Sequence, residues 1–546
     1  IIMAIRRLAG NITKPIVALN EVAQELAEGN LDVSLDVSSE NEIGELADSI
    51  QKTVNRLKEY INYIDEIAYV LNRLSDGKLK FTLKYDYAGD FAKVKDPTFF
   101  KENVLNAHAS FRTYASREEY LARESSLALK LDGIWKFAYA KNYTSAIPGF
   151  EKTDYDCSGW DDIHVPAHIQ MEGYDIPQYA NVQYPWDGRE EVQPGEIPQR
   201  FNPVASYVKY FELPESMQGK PVHIEFEGVE SGMALWLNGS YVGYTEDSFS
   251  AHAFDLTPYL QPGVNKLAVQ VFKWTSSSWC EDQDFFRFSG IFRSVWLYAI
   301  PTVHLEDISV KTLFAGDDFT HSTLEVALQV EGKGAARLTL RRSELEVFSE
   351  KIALNGGSAL FSHAVENPHL WSAEDPALYV LEIELLDDAG HLVEVTGQKV
   401  GFRKFELKNN RMLLNGKRIV FKGANRHEFS SITGRAVGVH THEELLRDII
   451  TMKQNNINAI RTSHYQNQDA LYDLCDEYGL YLIAENNLES HGTWDIHQAG
   501  IRGIEGVLPN DKPEWKAVLF DRMNSTYQRD KNHPAVLIWS LGNESF

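Results

Sequence analysis

The sequence has no block of clustered Lys and Arg, no long apolar run, no secretory signal and few cysteines, and each absence removes a class of function. Phosphate-binding surfaces need clustered cations, so a formal net charge of −25 with no such block argues against nucleic acid as a partner. A membrane helix needs about 20 consecutive apolar residues, and no stretch of this chain supplies them. The three cysteines, Cys157, Cys280 and Cys475, are odd in number, far apart and in no metal-ligand spacing. They exclude a disulfide framework and fit a reducing compartment, so the expected location is the cytoplasm. Ile1 to Ile5 followed by Arg6-Arg7 also reads as the cytoplasmic flank of a membrane helix lost upstream, which would tie the full-length product to a membrane.

What is present is an ordinary globular composition, 43% hydrophobic and 24% charged, over 546 residues, a length that calls for about three to five domains. Residues 1–95 stand apart, with one proline (Pro15) and no tryptophan. They carry an internal repeat: Leu26-Ala-Glu-Gly29-Asn-Leu-Asp-Val-Ser-Leu35 returns as Leu74-Ser-Asp-Gly77-Lys-Leu-Lys-Phe-Thr-Leu83, and Gly44-Glu45-Leu46 as Gly89-Asp90-Phe91. In each copy a helix with apolar positions three and four apart ends at the glycine, and an extended connector follows. Pro15 suits a first helical turn. A plain amphipathic hairpin would share these features. With Glu42-Ile-Gly-Glu-Leu46 the stretch resembles tandem HAMP linker modules of bacterial chemoreceptors and sensor kinases. That resemblance implies an α-helical coiled-coil dimer relaying signals from a membrane segment. The second module is incomplete, because Asp96-Pro97 breaks the helix that should finish it.

Residues 96–302 turn to aromatic-rich strands, such as Val222-His-Ile-Glu-Phe226 and Met233-Ala-Leu-Trp-Leu237, the latter joined through Asn238-Gly239 to Tyr241-Val-Gly-Tyr244. Asn-Gly between β-rich runs predicts a tight hairpin, and the region reads as a β jelly-roll sandwich. Residues 303–407 continue the alternation over a length that suits an immunoglobulin-like β-sandwich. In residues 408–546 strand candidates at 418–423, 458–463, 480–485 and 535–541 alternate with helices, the first starting at Thr441 with Glu444 completing a capping box. Alternating strands and helices imply a parallel sheet, here the first half of an α/β (β/α)8 TIM barrel.

Polar clusters follow each of these strands: Asn425-Arg426-His427-Glu428, Arg461-Thr-Ser-His464, Glu485-Asn-Asn487 with Glu489-Ser-His491, and Asn543-Glu544. The C-terminal ends of barrel strands form the active face, so Glu544, directly after the buried run Ala535 to Ile538, is placed for acid/base work. Taken singly, a Glu there could cap the next helix, and each His could be structural. Their convergence favours a site. Glu489, His491 and Glu544 make a hard-cation set of the kind Mg²⁺ accepts.

The motifs Ala180-Asn-Val-Gln-Tyr-Pro185, Glu281-Asp-Gln-Asp284, Arg287-Phe-Ser-Gly-Ile-Phe-Arg293, Gly423-Ala-Asn-Arg-His-Glu428, Arg461-Thr-Ser-His-Tyr465, Asn487-Leu-Glu-Ser-His-Gly492 and Trp539-Ser-Leu-Gly-Asn-Glu-Ser545 occur in this order. Over about 96–546 the chain resembles glycoside hydrolase family 2. The resemblance implies β-galactosidase activity, the retaining hydrolysis of terminal non-reducing β-D-galactose residues, with a β-galactoside of lactose type as substrate and a homo-oligomer as a possible assembly. By resemblance Glu544 is the acid/base, and Asn181, Asp284, His427, His464 and Asn543 contact the galactosyl group. Glu489, His491 and Glu544 match magnesium ligands, and Asp284 a sodium ligand. The family's nucleophile lies near the end of the seventh barrel strand, well beyond Glu544, so this chain is expected to be inactive alone, as a chimeric or truncated product would be. The competing expectation is a HAMP-containing signal-transduction protein with a carbohydrate-binding sandwich.

Overall fold

The computed structural model describes residues 94–545 apart from 436–438, together with Val17, Leu19, Val22, Ala47 and Ile50. The expected helical repeat of residues 1–95 lies outside the described residues. The chain divides at residues 92 and 93, and everything below concerns the second unit.

The first sandwich packs a seven-stranded antiparallel sheet, centred on Gly232–Leu237, Val264–Phe272 and Val204–Glu212, against a four-stranded one built on Val222–Phe226 and Val295–Ala299. Alternation decides the facing: Val222, Ile224 and Phe226 are fully buried, while His223 and Glu225 turn to the half-exposed side. The expected hairpin is present. Asn238 and Gly239 have φ of 52° and 82°, as a two-residue turn between right-twisted strands requires, and they join Leu237 to Ser240 in register.

The second sandwich has seven long strands in sheets of three and four, an immunoglobulin-like arrangement. His321–Glu331 buries Ser322, Leu324, Val326, Leu328 and Val330 at every second position against Leu338, Leu340, Leu381 and Ile383 of the facing sheet.

The third part is a parallel sheet of four strands in sequence order: β1 (Gly423–Arg426), β2 (Ala459–Thr462), β3 (Tyr481–Glu485) and β4 (Val536–Ser540). Helices α1 (Val439–Gln454), α2 (Asp469–Tyr478), α3 (His491–Gln498) and α4 (Lys516–Asp530) lie between them. Two expectations need correction. Residues 418–423 are not the first parallel strand. Lys417-Arg418 closes an antiparallel hairpin with Phe405–Lys408 and Arg411–Leu414, and Val420 is 53% exposed. The apolar run 419–421 is a connector pinned by Asn458, which hydrogen-bonds the Lys422 amide through its side chain and the Lys422 carbonyl through its own amide. Helix α1 begins at Val439 rather than at Thr441, so Thr441 stands inside it.

The second sandwich grips the barrel segment from below. Trp371 is fully buried and donates its indole N–H to the Asp476 carbonyl at the end of α2 (2.9 Å). The Arg403 guanidinium bonds the carbonyls of Pro534 (2.5 Å) and Val536 (2.8 Å), which fixes where β4 starts.

Candidate functional site

β4 runs out through Ser540 and Leu541 to Gly542, whose φ of 146° is open to few residues other than glycine. A Cβ there would meet the Leu488 carbonyl oxygen at 2.6 Å. This close approach lets the Asn543 amide donate to the same carbonyl (2.9 Å) and sets Glu544 beside Glu489 and His491. Donor atoms of these three side chains lie within 4.8 Å of one another, and His491 Nδ1 is 2.8 Å from Glu544 Oε2. The expected metal set is therefore brought together in space.

Glu489 is buried, and its Oε2 has no hydrogen-bond partner. Burial pushes its carboxyl up to about 8, against a hydrogen bond from Asn543 and with the charges of Asp282 and Glu544 adding to the rise. Asp282, buried and accepting the Gly492 amide (2.8 Å) in the first turn of α3, is likewise pushed by burial to about 7 although Arg287 opposes it at 2.9 Å. Such a pocket of carboxyl groups, one with an orphaned oxygen, fits a divalent cation. The other group of three ligand side chains among the described residues, Asp473, Asp476 and His533, is already taken up by mutual hydrogen bonds and by Lys399.

The first sandwich supplies one wall. Glu281 forms a β-bridge with Glu489, the Glu489 amide donates to the Cys280 carbonyl (2.8 Å), and the Asp282 amide donates back to Glu489 (3.0 Å). Further along, Gln178–Ala180 pairs with Phe285–Arg287, Ala180 opposite Phe285. Asn181 and Asp284 therefore extend from the same end of this ladder, both exposed. Phe285 stacks on the His427 ring (4.7 Å between centroids), and His427 meets His464 edge-on at 5.5 Å. Burial, with Arg435 and His464 nearby, lowers His427 to about 4, which keeps it neutral. Asp284, the expected sodium ligand, accepts a hydrogen bond from the Tyr179 hydroxyl and belongs to neither group of three ligand side chains among the described residues.

Several side chains that support the site were given no role of their own in the sequence analysis. Glu485, at the tip of β3, is fully buried and accepts from His464 Nδ1 (2.6 Å), Arg461 Nε (2.5 Å) and Ser540 Oγ (2.6 Å). Arg461 also reaches Asn543 Oδ1 (3.0 Å). Arg522 of α4 ties Asp247 and Glu281 to the Asn487 carbonyl. Glu428, one of the strand-end carboxylates, is committed to the buried guanidinium of Arg293 (2.9 Å) and stands outside the chemistry. The sequence signal for Glu485 was its place at the head of the polar cluster after the third strand, and for Glu281 its place inside a quoted motif. A cavity of about 370 Å³ at the junction of the two sandwiches, lined by His223, Glu225, His304 and Glu331, touches none of these residues.

Comparison with known proteins agrees with this arrangement. The sugar binding domain of glycosyl hydrolases family 2 matches residues 128–301, a further family 2 domain matches 303–403, and the family's TIM barrel domain matches 405–546. A HAMP domain matches residues 7–59. The chain is 49% identical over 461 residues to a beta-galactosidase of Halalkalibacterium halodurans, covering 83% of this chain and 45% of that protein. It is 41% identical to a beta-galactosidase large subunit of Lactobacillus helveticus, covering 83% of this chain and 73% of that one. The fold is shared with a Bacteroides uniformis beta-glucuronidase at a TM-score of 0.61 and 23% identity, over 76% of this chain and 46% of that one. The chain spans about half the length of the first of these curated relatives. With its three matched domains in order and a relative covered over most of its length, this chain belongs to glycoside hydrolase family 2.

Proposed function

We propose that the chain supplies the galactose-binding and acid/base side of a retaining β-galactosidase. One observation carries the reading: Glu544 stands at the end of β4 with Glu489 and His491 beside it, on the face where β1 and β2 end at His427 and His464. A retaining mechanism uses two carboxyl groups roughly 5 to 5.5 Å apart. Glu544, exposed and 2.8 Å from His491 Nδ1, would protonate the glycosidic oxygen and then take the proton of the attacking water. The nucleophile, by resemblance, comes from the seventh strand, whereas the strands described here are the first four. Asn181, Asp284, His427, His464 and Asn543 would hold galactosyl hydroxyls. An Asp at this wall favours a neutral sugar over a uronate, because the two carboxylates would repel.

Glu489, His491 and Glu544 would hold Mg²⁺, which when bound supplies positive charge against the paired carboxylates. Glu544 would move the proton, and Asn543, which accepts from Arg461, would orient the sugar. The cysteines are buried and unpaired, which supports a reducing compartment, and among the described residues no helix is long and apolar enough to cross a membrane. The HAMP match favours a second role for residues 7–59, pairing with another copy as a coiled coil; chemical cross-linking of the full chain tests it.

The test of the enzymatic reading is Glu544→Gln in protein that also carries the remaining barrel strands. Lactose turnover should vanish, whereas an aryl β-galactoside, whose phenol leaves without protonation, should still be cleaved, and added azide should speed it by replacing the base-assisted water. Equal losses on both substrates without azide rescue remove Glu544 from the acid/base role.

A further inference from the structure

We propose that Glu485 is the positioning residue of this site: its carboxylate sets which nitrogen of His464 faces the sugar and, through Arg461, where Asn543 points. Glu485 is fully buried at the tip of β3, directly opposite Ser540 of β4. Its own amide donates to Thr462 Oγ1 of β2 (2.9 Å), so both backbone and side chain are fixed by the neighbouring strands. Three donors converge on its two oxygens: His464 Nδ1 on Oε1, and Arg461 Nε with Ser540 Oγ on Oε2. Burial alone would raise this carboxyl, but the bonds from His464, Ser540 and Arg461 prevail and hold it below the usual glutamate range.

The consequences follow from what each group can do. A carboxylate only accepts, so His464 must carry a proton on Nδ1, and whenever the ring is neutral Nε2 is then the acceptor. His464 then offers a lone pair to a substrate hydroxyl. Arg461 spends Nε on Glu485 and keeps Nη2 for Asn543 Oδ1 (3.0 Å), which fixes the amide rotamer of Asn543 and turns its N–H₂ away from the guanidinium. Glutamine at 485 has one accepting oxygen and one N–H₂ group against three incoming donors. It would press its N–H₂ on one of them, and His464 escapes by moving its proton to Nε2, which reverses the polarity it shows to the sugar. A carboxylate-to-amide change beside a catalytic His elsewhere preserves geometry and costs about 10⁴ in kcat by the same tautomer reversal.

The inference rests on the galactoside reading only for the identity of what His464 faces, and the experiment separates the two. In ¹⁵N-histidine-labelled full chain, with His464→Gln used to assign the resonance, Nδ1 of His464 should be protonated from pH 6 to 9. An unprotonated Nδ1 overturns the proposal and needs no variant of Glu485. Methyl β-D-galactoside should bind the Glu485→Gln chain about 10- to 100-fold more weakly than wild type, in the range of supporting-residue losses at comparable sites, together with a switch of the His464 proton to Nε2. Glu485→Asp, which keeps the carboxylate, should retain the Nδ1 proton, and it serves where the Gln variant does not fold. Weakened thermal stability with unchanged tautomer and affinity would make Glu485 merely structural and refute the proposal. If wild type does not bind the galactoside, the galactoside reading fails while the His464 spectrum still decides the role of Glu485.

Discussion

The buried pair His533–Asp476 makes stability depend on pH in a window where few proteins lose an ion pair. His533 Nδ1 lies 2.6 Å from Asp476 Oδ2, both side chains under 10% exposed, and Asp476 Oδ1 accepts the Ala535 amide (2.9 Å) where β4 begins. Burial would lower His533, but Asp476 first and Asp473 and Asp530 behind it raise it from 6.5 to about 9. The Tyr472 ring packs at 5.4 Å, and Arg403 reaches the His533 carbonyl. A histidine raised on folding contributes its full stabilisation below its unfolded pKa and loses it as pH climbs through the folded one. At about 1.4 kcal/mol per pH unit the contribution is about 3 kcal/mol, present at pH 6 and gone by about pH 10. Asp476 is itself raised by burial, with the charge and hydrogen bond of His533 and the Ala535 amide opposing the rise. The perturbation is His533→Gln, compared with wild type by urea unfolding at pH 6, 7.5, 9 and 10. The gap between the two proteins should shrink by about 3 kcal/mol across the series. A gap that stays constant, or an NMR titration of His533 centred near 6.5, refutes the reasoning.

Two further outcomes are expected. Gly479 ends α2 at φ 75° with a Cβ position only 2.4 Å from the Ala373 carbonyl oxygen, whereas Gly500 has φ 71° with open space around it; Gly479→Ala should therefore lower the melting temperature well beyond the loss of about 1 to 2 kcal/mol expected for Gly500→Ala, and equal losses would contradict the steric account. Magnesium at about 100 times its dissociation constant should stabilise the chain by about 2.7 kcal/mol, EDTA should reverse this, and Glu489→Gln should abolish it; a shift that survives in the variant places the ion elsewhere.

Local chemistry made much of this fold legible. Asn238-Gly239 announced a turn that only positive φ at both positions allows, and the alternation of Val222 to Phe226 announced its buried face. The strand ends carrying His464, Glu489 and Asn543-Glu544 were legible because apolar runs stop where polar groups begin, whereas the strand before His427, Gly423-Ala-Asn-Arg426, has no such run. The misreading at 418–423 has a physical cause. Ile419 to Phe421 looks like a buried strand, but the neighbouring cations Lys417, Arg418 and Lys422 are all exposed, and the run serves as a connector over Tyr481. Periodicity reports whether a residue is buried, not what it meets. Nothing local tells that Arg293 will find Glu428 or that Arg522 will find Asp247, partners 135 and 275 residues apart. Glu485 escaped for the same reason: its role lies in converging donors from two other strands.

The site is consequently a property of two domains at once. Glu489 receives its position from the barrel through Leu488 and Asn543, and its backbone partners from the sandwich through Cys280 and Asp282. Behind it Asp247, Glu281 and Asp282 bring three more carboxyl groups into the same buried seam, answered by the guanidinium groups of Arg287 and Arg522. Burying carboxylates is costly unless each is paired, so the seam is stable only while the Asp247–Glu281–Arg522 network and the Asp282–Arg287 pair are both made. Arg522 comes from α4 and its acidic partners from the sandwich, whereas Arg287 and Asp282 both come from the sandwich. Separating the two domains would strand Arg522 without its carboxylates and release Glu489 from the bridge to Glu281. The wall that carries Asn181 and Asp284 and the strand end that carries Glu544 are thus locked together by charges buried beneath them, which is how residues from two folds keep one geometry.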